Sequence, residues 1–428
     1  MVQRKTYFEP IITRKGDSYI QLFPHQDRAL DETFEKNRVA YYLDMGLGKT
    51  FVGSEKMWEL NTPYNLLICQ KSKIDDWKEH FETYYPEYKV IVFDKQSLDI
   101  IPEDSVLIIN YDKIWRRPEL LKLRHFTLML DESSMIKNES SKRSKYILNL
   151  RADNVILLSG TPTGGKYEEL WSQLHLLGWK ITKQLFLKQF VVYEWDEINQ
   201  QNKITGYKNV DRLKAKLRQY GAIFMKTEEV FDLPAVNDVM VKIPSTKLYK
   251  EFKKHSIVEV NGEELIGDTP AAKKLYLRQL AGVYNDNKLQ YVKDLIDSTN
   301  DRLIIFYNFK KEYAALVDMI ELPISTVNGD LKDLTAYETH SDSVTLIQYQ
   351  AGAMGLNLQK ANKTVYFSLT DKSELFEQSK KRIHRIGQDQ PCFYYYLLTD
   401  GSIEWRMLEV LKERKDYTDA LFEKEEGE

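Results

Sequence analysis

The chain has few of the features that mark secreted, membrane-spanning or zinc-binding proteins. Only two of its 428 residues are cysteine, Cys69 and Cys392, and both lie in apolar stretches far apart. No cysteine pair or cysteine–histidine cluster has the spacing of zinc ligands, and isolated buried thiols are typical of a reducing compartment. No apolar run is long enough to span a membrane, and the N-terminus lacks the apolar region of a signal peptide. We therefore expect a cytoplasmic protein with no membrane partner.

The chain also lacks an excess of charge of either sign. Its formal net charge is −3, so the composition gives no sign of nucleic-acid binding, and any DNA contact must come from local patches. Apolar residues make up 43% of the chain and charged residues 29%, as in ordinary globular proteins. The length predicts two or three domains.

A strand, a glycine-bearing loop and a helix are predicted in succession in the first part of the chain. Residues 38–43 form an apolar run, residues 51–60 have helical spacing, and between them lies Asp44-Met45-Gly46-Leu47-Gly48-Lys49-Thr50. Backbone N–H groups of such a loop and of the following helix N-terminus wrap phosphates. Lys49 would then contact the outer phosphates, and the Thr50 hydroxyl would ligate Mg²⁺. The alternative is a chance glycine turn.

A glutamine lies a short distance before this loop. Gln26 follows Leu22-Phe23-Pro24-His25 and leads into a predicted helix. Its amide both donates and accepts hydrogen bonds, so it can bind the edge of an adenine. An isolated glutamine is more often a surface residue, but the position of Gln26 ahead of the loop favours the adenine interpretation.

From residue 64 onward, predicted strands and helices alternate, which indicates a parallel sheet with helices on both faces. Polar groups follow several of these strands directly: Gln70-Lys71, Asn110-Tyr111, Asp131-Glu132 and Ser159-Gly160-Thr161. Ligands of such sheets bind at the carboxyl ends of the strands. The alternation restarts near residue 303, which predicts a second parallel α/β lobe without a phosphate loop. A helix from Glu404 runs into an acidic tail.

The last part of the first lobe, residues 163–235, is predicted to be mainly helical and to end in a joint at Asp232-Leu233-Pro234. The predicted domains are a first lobe at 1–235 and a second at 236–428, with residues 1–22 forming a short hairpin against the first. Six cations cluster in one part of the helical segment: Lys203, Lys208, Arg212, Lys214, Lys216 and Arg218. The pattern favours a solvated helix face over a DNA contact.

The adjacent carboxylates Asp131 and Glu132 are candidates for two different roles in hydrolysis. Asp131 can hold Mg²⁺, and Glu132 can act as general base toward an attacking water. The alternative is an ordinary acidic turn, but a phosphate loop on the same predicted sheet favours catalysis.

Two arginines in the second half are candidates for a role in phosphoryl transfer. Arg382 and Arg385 are three positions apart on a predicted helix and would share one face. A guanidinium supplied from outside the phosphate loop stabilises the charge that develops on the γ-phosphate. If both belong to the second lobe, they reach the nucleotide only when the lobes close. His384 between them is predicted to be structural.

Taken together, these segments resemble the motifs of a known family, the SWI/SNF-type branch of superfamily 2 helicase-like ATPases. The segments resembling motifs I, II, III, V and VI appear in family order: Met45–Thr50, Asp131-Glu132, Ser159-Gly160-Thr161-Pro162, Gly355-Leu356-Asn357-Leu358 and Gln378–Gln388. Weaker matches are Gln26, Gln70-Lys71, Asn110-Tyr111 and Phe306–Phe309. The resemblance covers residues from about 20 to 410.

The resemblance implies two tandem RecA-like lobes, a helicase ATP-binding domain and a helicase C-terminal domain, that clamp ATP and Mg²⁺ in the interlobe cleft and grip double-stranded DNA. The expected nucleotide contacts are Gln26, Met45, Gly46, Leu47, Gly48, Lys49, Thr50, Asp131 and Gly355. The expected metal ligands are Thr50 and Asp131, and the expected catalytic residues are Lys49, Glu132, Arg382 and Arg385. The expected DNA contacts are Gln70, Lys71, Asn110, Tyr111, Asn308, Gly352 and Asn357.

Two segments depart from the family pattern. Ser134 stands where motif II usually has histidine, and Asp371-Lys372-Ser373 replaces the Trp-Asn-Pro that commonly precedes motif VI. No accessory chromatin-reading or zinc domain is evident, so the chain resembles a minimal bacterial or viral motor. We expect a monomer near the nucleoid of a bacterial or virus-infected cell, and the sequence leaves open an unknown protein partner.

The function predicted from these features is ATP-dependent translocation on double-stranded DNA, which remodels DNA or protein–DNA complexes. A strand-separating or strand-annealing helicase stays open as an alternative. A DNA-binding scaffold with a silent ATPase site is the alternative from another class, although every hydrolytic position holds the residue type that the chemistry needs.

Overall fold

The computed structural model describes residues 21–197, 200–352 and 355–422. The chain divides into two compact units, one formed by Met1–Val230 with Tyr417–Glu428 and the other by Phe231–Asp416. Each unit contains a seven-stranded sheet flanked by helices. This confirms the prediction of two α/β lobes.

The first unit alternates strands and helices, as the apolar pattern predicted. Its elements are α1 (Pro24–Asp31), β1 (Arg38–Leu43), α2 (Lys49–Leu60), β2 (Tyr64–Cys69), α3 (Ile74–Tyr84), β3 (Lys89–Val92), β4 (Ser105–Asn110), β5 (Phe126–Asp131), α4 (Lys142–Leu148), β6 (Asn154–Ser159), α5 (Trp171–Leu176), α6 (Lys183–Phe190), β7 (Val191–Asp196), β8 (Gln201–Tyr207), α7 (Val210–Gln219) and β9 (Ala222–Met225).

The sheet of the first unit has the order β3-β4-β2-β5-β6-β1-β9, and its strand pairs are parallel. Its central strands are buried along almost their whole length, which explains why they are apolar runs and not alternating patterns. Because β5, β6 and β1 are neighbours, the segments that follow them emerge at one edge. This order brings the acidic pair, Ser159 and the phosphate loop together.

The prediction of a mainly helical segment at residues 163–235 was wrong in part. The antiparallel hairpin β7–β8 lies inside it, and β9 forms the edge of the main sheet beside β1. The basic segment 203–218 therefore begins on a strand and continues onto α7. Short strands with mixed burial carry too few apolar residues for their period to be distinguished from a helical one.

The second unit repeats the alternation and adds a small insertion. Its elements are β10 (Val236–Ile243), α8 (Lys247–His255), β11 (Ile257–Val260), β12 (Glu263–Ile266), α9 (Pro270–Ala281), α10 (Asp286–Asp297), β13 (Leu303–Tyr307), α11 (Lys310–Met319), β14 (Ile324–Val327), β15 (Lys332–Asp333), α12 (Thr335–Thr339), β16 (Val344–Gln348), α13 (Tyr349–Gly352), β17 (Lys363–Tyr366), α14 (Ser373–Lys380), β18 (Cys392–Thr399) and α15 (Ile403–Phe422), whose residues from Tyr417 on are counted with the first unit.

The sheet of the second unit has the order β10-β18-β17-β13-β16-β14-β15. Its strands pair in parallel except for the short β15, which pairs antiparallel to β14. The hairpin β11–β12 packs with α8 and α9 around a separate cluster that includes Tyr249, Phe252 and Leu265. The predicted parallel lobe is confirmed, with this insertion as an addition.

The predicted helix that carries Arg382 and Arg385 was wrong. Helix α14 ends at Lys380, and both arginines lie in the turns that follow. The carbonyl of Arg382 accepts a hydrogen bond from the backbone N–H of Leu358, at 3.1 Å. A continuing helix would use that carbonyl for its own ladder, so this tertiary contact accompanies the end of the helix.

Two predicted segments lie wholly or largely outside the described residues, namely the N-terminal hairpin at 1–22 and the acidic tail beyond Phe422. None of the helices described is long and apolar enough to cross a membrane. Within the same residues, no group of three or more histidine, cysteine, aspartate and glutamate side chains is arranged to hold a metal ion.

Candidate nucleotide site

The phosphate loop connects the buried strand β1 to the N-terminus of α2. Gly46 and Gly48 have φ angles of +90° and +73°, in the left-handed region that glycine occupies without strain. A Cβ at Gly46 would meet nothing within 4 Å, so the backbone conformation and not the available space requires glycine there. The Nζ atom of Lys49 donates to the carbonyl oxygens of Leu43 at 2.9 Å and of Asp44 at 3.2 Å. The lysine is thus folded over its own loop.

The amide of Gln26 fixes the loop from one side. Its Nε2 donates to the carbonyls of Leu47 and Gly48 at 3.2 and 3.3 Å, and its Oε1 accepts from the backbone N–H of Phe23. A Cβ at Gly48 would lie 2.0 Å from this Nε2. Gln26 is 3% exposed, so it is not a surface residue. Its contact with adenine stays a prediction.

A threonine after β9 fixes the loop from the other side. The Oγ1 of Thr227 donates to the Asp44 carboxylate at 3.0 Å, and the other Asp44 oxygen accepts from the N–H of Met45 at 2.9 Å. Nothing in the sequence near Thr227 indicated this role, because the contact depends on β9 pairing with β1.

Asp131 lies at the carboxyl end of β5 and is held by two aromatic side chains. The indole N–H of Trp77 on α3 donates to its Oδ2 at 2.8 Å, and the Tyr111 hydroxyl donates to its backbone carbonyl at 2.9 Å. Burial raises the pKa of the Asp131 carboxyl, while the Trp77 hydrogen bond and the charge of Lys49 act in the opposite direction. A lone tryptophan on an amphipathic helix gave no sequence signal of this contact.

Glu132 has a backbone conformation that non-glycine residues seldom adopt. Its φ is 55° and its ψ is 62°, in the left-handed region. Its Oε2 accepts a hydrogen bond from the Ser159 hydroxyl at 3.3 Å, and Ser159 Oγ accepts in turn from the N–H of Thr161 at 3.1 Å. The segment resembling motif III therefore contacts the proposed base directly.

The structure brings the three predicted segments of the first unit together. Lys49 lies close enough to Asp131 to influence its pKa, and a Cβ at Gly160 would lie 3.3 Å from Lys49 Nζ. Glu132 is linked to Ser159. A flexible cation, a carboxylate that can bind metal and a second carboxylate thus converge at the edge where β1, β5 and β6 end.

These residues fit a phosphate chain and Mg²⁺ by their chemistry. The Lys49 ammonium is bonded to backbone carbonyls, from which it can transfer to phosphate oxygens. Thr50 lies in the first turn of α2. The Oδ2 atom of Asp131 accepts a hydrogen bond from the Trp77 indole. A hydroxyl and a carboxylate are oxygen ligands of the type Mg²⁺ prefers, and this metal usually keeps several waters. The roles of Met45, Gly46, Leu47 and Gly48 as nucleotide contacts stay predictions.

In the second unit, the turns after α14 pack against the segment that resembles motif V. Arg385 donates from Nη1 to the Leu356 carbonyl at 3.4 Å, and Gln388 donates to the carbonyls of Gln359 and Ala361. Burial lowers the pKa of Arg385, and in the described part of the chain its buried Nε has no hydrogen-bond partner. Arg382 is 1% exposed. His384 bonds the Pro234 carbonyl at 2.9 Å, in keeping with a structural role.

The predicted DNA contacts of the first unit differ in accessibility. Lys71 is exposed and Gln70 half-buried at the end of β2. Asn110 is buried, and its side chain accepts from the N–H groups of Asp112 and Lys113. Tyr111 is buried, and its hydroxyl donates a hydrogen bond to the backbone carbonyl of Asp131. Its side chain therefore supports the acidic pair. DNA contact by these residues stays a prediction.

In the second unit, the predicted ligand contacts lie at the carboxyl ends of β13 and β16. Asn308 donates to the Ser368 hydroxyl at 2.9 Å, Gly352 ends α13, and Gly355 and Asn357 are exposed. Gly355 has a φ of +67°. Their roles toward DNA or nucleotide also stay predictions.

The fold and this site define a helicase-type α/β protein with a phosphate loop in its first lobe. Comparison with known families agrees. The model of the SNF2-related domain matches residues 42–286, and the model of the helicase conserved C-terminal domain matches residues 287–387. The chain therefore belongs to the SNF2-related family.

Similar proteins cover most of this chain. SWI/SNF-related matrix-associated actin-dependent regulator of chromatin subfamily A member 1 of Homo sapiens is 23% identical over 426 residues, which cover 86% of this chain and 40% of that protein. The ATP-dependent DNA helicase DDM1 of Arabidopsis thaliana is 25% identical, with coverages of 85% and 56%. The subfamily A-like protein 1 of Drosophila melanogaster is 27% identical, with coverages of 92% and 55%. The chain thus spans about half, or less, of these relatives.

A solved structure is also similar. It is the Sulfolobus solfataricus SWI2/SNF2 ATPase core in complex with dsDNA, with a TM-score of 0.46, 21% sequence identity, and coverage of 93% of this chain and 92% of that one.

Proposed function

We propose that this protein is an ATP-dependent double-stranded DNA translocase that remodels DNA or protein–DNA complexes. The observation that carries the proposal is the meeting of Lys49, Asp131 and Glu132 at one edge of the first sheet. A protein that only bound a nucleotide would need the loop but not a second carboxylate beside it. Membership of the SNF2-related family and the name of the Arabidopsis relative, an ATP-dependent DNA helicase, support ATP as the nucleotide and DNA as the partner.

Each residue of the site has a separate task in this proposal. Lys49 exchanges the carbonyls of Leu43 and Asp44 for phosphate oxygens. Thr50 and Asp131 would hold Mg²⁺, which neutralises charge on the phosphates when bound. Glu132 accepts the proton of the attacking water, and the Ser159 hydroxyl orients its carboxylate. Gln26 reads the adenine edge while it holds the loop.

The arginines of the second unit supply a cation in this proposal. Arg385 is the stronger candidate, because it is half-buried and its Nε has no hydrogen-bond partner within the described residues. A guanidinium that binds a phosphoryl oxygen would satisfy that nitrogen. The remaining parts of the proposal are a monomeric enzyme, a cytoplasmic setting near the nucleoid, and phosphate-directed contact with duplex DNA.

The test is ATP turnover by the purified chain without DNA and with duplex, single-stranded or forked DNA. We expect turnover to rise at least tenfold with duplex DNA. No ATP turnover, with or without DNA, would leave the scaffold interpretation, in which the ATPase site is silent.

A displaced-strand assay on tailed duplex separates the translocase from a helicase. We expect ATP-dependent removal of a protein block from the duplex without release of a strand. Strand release would favour the strand-separating alternative.

A further inference from the structure

We propose that Gln173 on α5 is a positioning residue that sets the conformation of the hydrolytic carboxylate Glu132. This inference rests on the proposed function and adds a residue that none of the motifs contains. Gln173 is remote in sequence from the phosphate loop and from the acidic pair.

A single amide group joins three segments of the site. The Oε1 of Gln173 accepts from the Ser133 hydroxyl at 2.7 Å and from the Tyr42 hydroxyl at 2.9 Å. Its Nε2 donates to the Pro162 carbonyl at 2.7 Å. Gln173, Ser133 and Tyr42 are each 0% exposed. Bulk water does not reach these groups, and buried polar groups need a hydrogen-bond partner, which this one side chain provides to all three.

The three partners lie close, along the chain or across the sheet, to groups with proposed roles in hydrolysis. Ser133 follows Glu132, whose backbone is left-handed. Pro162 ends the segment whose Ser159 donates to Glu132. Tyr42 lies opposite Ser159 in the sheet and two residues before the loop residue Asp44. Gln173 therefore fixes the backbone on both sides of the contact between Glu132 and Ser159.

The left-handed conformation of Glu132 makes this support necessary. A non-glycine residue stays in such a conformation only where surrounding contacts hold it. Ser133, which directly follows the strained residue, is held by its hydrogen bond to Gln173. The hydrogen bond from Gln173 to Pro162 fixes the segment that carries Ser159. Without the amide, Glu132 can relax and its carboxylate leaves the position from which it would act on water.

The first test replaces Gln173 with methionine, which keeps the length of the side chain and removes its hydrogen bonds. We expect kcat for ATP to fall at least tenfold while the affinity for a fluorescent ADP analogue changes less than threefold. Amide hydrogen exchange at residues 132–134 and 160–163, measured without nucleotide, should accelerate.

The matched control is Asn65→Leu. Asn65 is also 0% exposed, and its replacement also removes two hydrogen bonds, one accepted from Thr62 and one donated to Ser105. It lies near the amino end of β2, away from the site. We expect a similar loss of thermal stability with unchanged kcat. An equal fall of kcat in both variants would contradict the proposal.

The triple variant Tyr42→Phe, Ser133→Ala, Gln173→Met separates positioning from stability. It removes the two hydroxyl groups that the single variant leaves buried and unpaired, and such paired removal is nearly neutral for stability. We expect the melting temperature to recover and kcat to stay low. Recovery of kcat to the wild-type value would overturn the inference.

A conservative replacement of Gln173 tests whether the hydrogen bonds, once restored, also restore kcat. In Gln173→Glu, the protonated carboxyl can still donate to Pro162 and accept from Ser133, whereas the ionised form cannot donate. Because burial raises the pKa of a carboxyl, kcat relative to wild type should be higher at pH 6 than at pH 8.5. A flat ratio, with all variants folded, would contradict the role of the donated hydrogen bond.

The outcomes distinguish this inference from the proposed function. Absence of ATP turnover in the wild-type chain would defeat the proposed function, and the exchange rates at residues 132–134 and 160–163 would still test the positioning of Glu132. Normal turnover in both wild type and Gln173→Met would defeat the inference alone.

Discussion

At the scale of single residues, Glu132 shows how the site combines strain with chemistry. Adjacent carboxylates are common in acidic turns, but here the backbone of Glu132 is left-handed and its side chain accepts a hydrogen bond from Ser159. Conformations of this kind cost about 1–3 kcal/mol and persist where surrounding structure enforces them. Together with the hydrogen bond from Ser159, this conformation supports the proposed role of the carboxylate.

Replacement of Glu132 with glutamine tests its role as general base. The amide keeps the size of the side chain but cannot accept a proton, so we expect kcat to fall by about 10²–10⁴ with nucleotide affinity retained. Turnover and ADP-analogue binding are measured in parallel. Glu139→Gln, a nearby glutamate in the loop before α4, is the control. Wild-type turnover in the Glu132 variant would remove the assignment.

Arg385 is the better of the two arginines to test. Arg382 is 1% exposed, so its removal would also disturb packing, whereas Arg385 is half-buried. We expect Arg385→Ala to lower kcat by about three orders of magnitude if the guanidinium stabilises the transition state. Arg406→Ala, at an exposed arginine paired with Glu409, is the control. A loss smaller than tenfold would assign Arg385 to DNA or to structure.

At the scale of elements, the helix of the phosphate loop is tied to its neighbour by a buried histidine. His80 on α3 lies 3.0 Å from the Ser54 hydroxyl on α2 and packs against Phe51, Trp77 and Phe81. Trp77 in turn holds Asp131. The contact between α2 and α3 thus supports both the phosphate loop and the acidic pair.

Burial lowers the pKa of His80 to about 4, which predicts a loss of stability in acid. In the unfolded chain this histidine binds a proton near its usual pKa of about 6.5. The stability that depends on a neutral His80 is therefore fully present above that pH and is lost as the pH falls toward 4. The shift corresponds to about 3 kcal/mol. Unfolding of wild type and His80→Gln is compared between pH 7.5 and 4.5. The stability of wild type should fall more than that of the variant, and parallel curves would contradict the prediction.

The basic segment 203–218 occupies two different elements. Lys203 lies on β8, and Lys214 on α7 is only 6% exposed. Reversal of the Lys214 charge would therefore disturb folding, and the exposed Lys208 and Arg212 are better probes.

We expect the double variant Lys208→Glu, Arg212→Glu to bind duplex DNA as wild type does, because the segment has the pattern of a solvated face. Affinity is measured over a series of salt concentrations, and Lys71→Glu at the end of β2 serves as the comparison. Each phosphate contact contributes a slope of about 0.9 in the salt dependence. A slope lowered by one or two in the double variant would instead establish a DNA contact.

At the scale of the whole molecule, the chain has two compact units with their own hydrophobic clusters. The tryptophans are unevenly divided between them. Trp58, Trp77, Trp115, Trp171, Trp179 and Trp195 belong to the first unit, and Trp405 belongs to the second. Fluorescence therefore reports mainly on the unit that carries the phosphate loop.

We expect urea unfolding to deviate from a single two-state transition. Saturating ADP should shift the fluorescence transition, because a ligand at 100 times its Kd stabilises the unit that binds it by about 2.7 kcal/mol. Circular dichroism follows both units and should show a second component that moves less. Coincident transitions that shift together would mean that the two units unfold cooperatively.

Much of this architecture could be predicted from the sequence, for reasons that are local. Fully buried parallel strands such as β2, β4 and β6 are short apolar runs, and the phosphate loop is a contiguous string of residues that is recognisable without the fold. The prediction failed where the local pattern was weak, at the hairpin β7–β8, or where a distant contact intervened, at the end of α14.

What the sequence by itself determined is the class of the two lobes and the presence of Lys49, Asp131 and Glu132, on which the proposed chemistry depends, because apolar runs and contiguous motifs are properties of the chain alone. Only the tertiary structure decided which side chains hold that chemistry in place. Trp77 contacts Asp131, Thr227 contacts Asp44, and Gln173 joins Ser133, Tyr42 and Pro162. These pairs depend on strand order and on the packing of helices against the sheet. A hydrogen bond needs its atoms within about 3 Å of each other, and residues so far apart in sequence meet at that distance only in the folded chain.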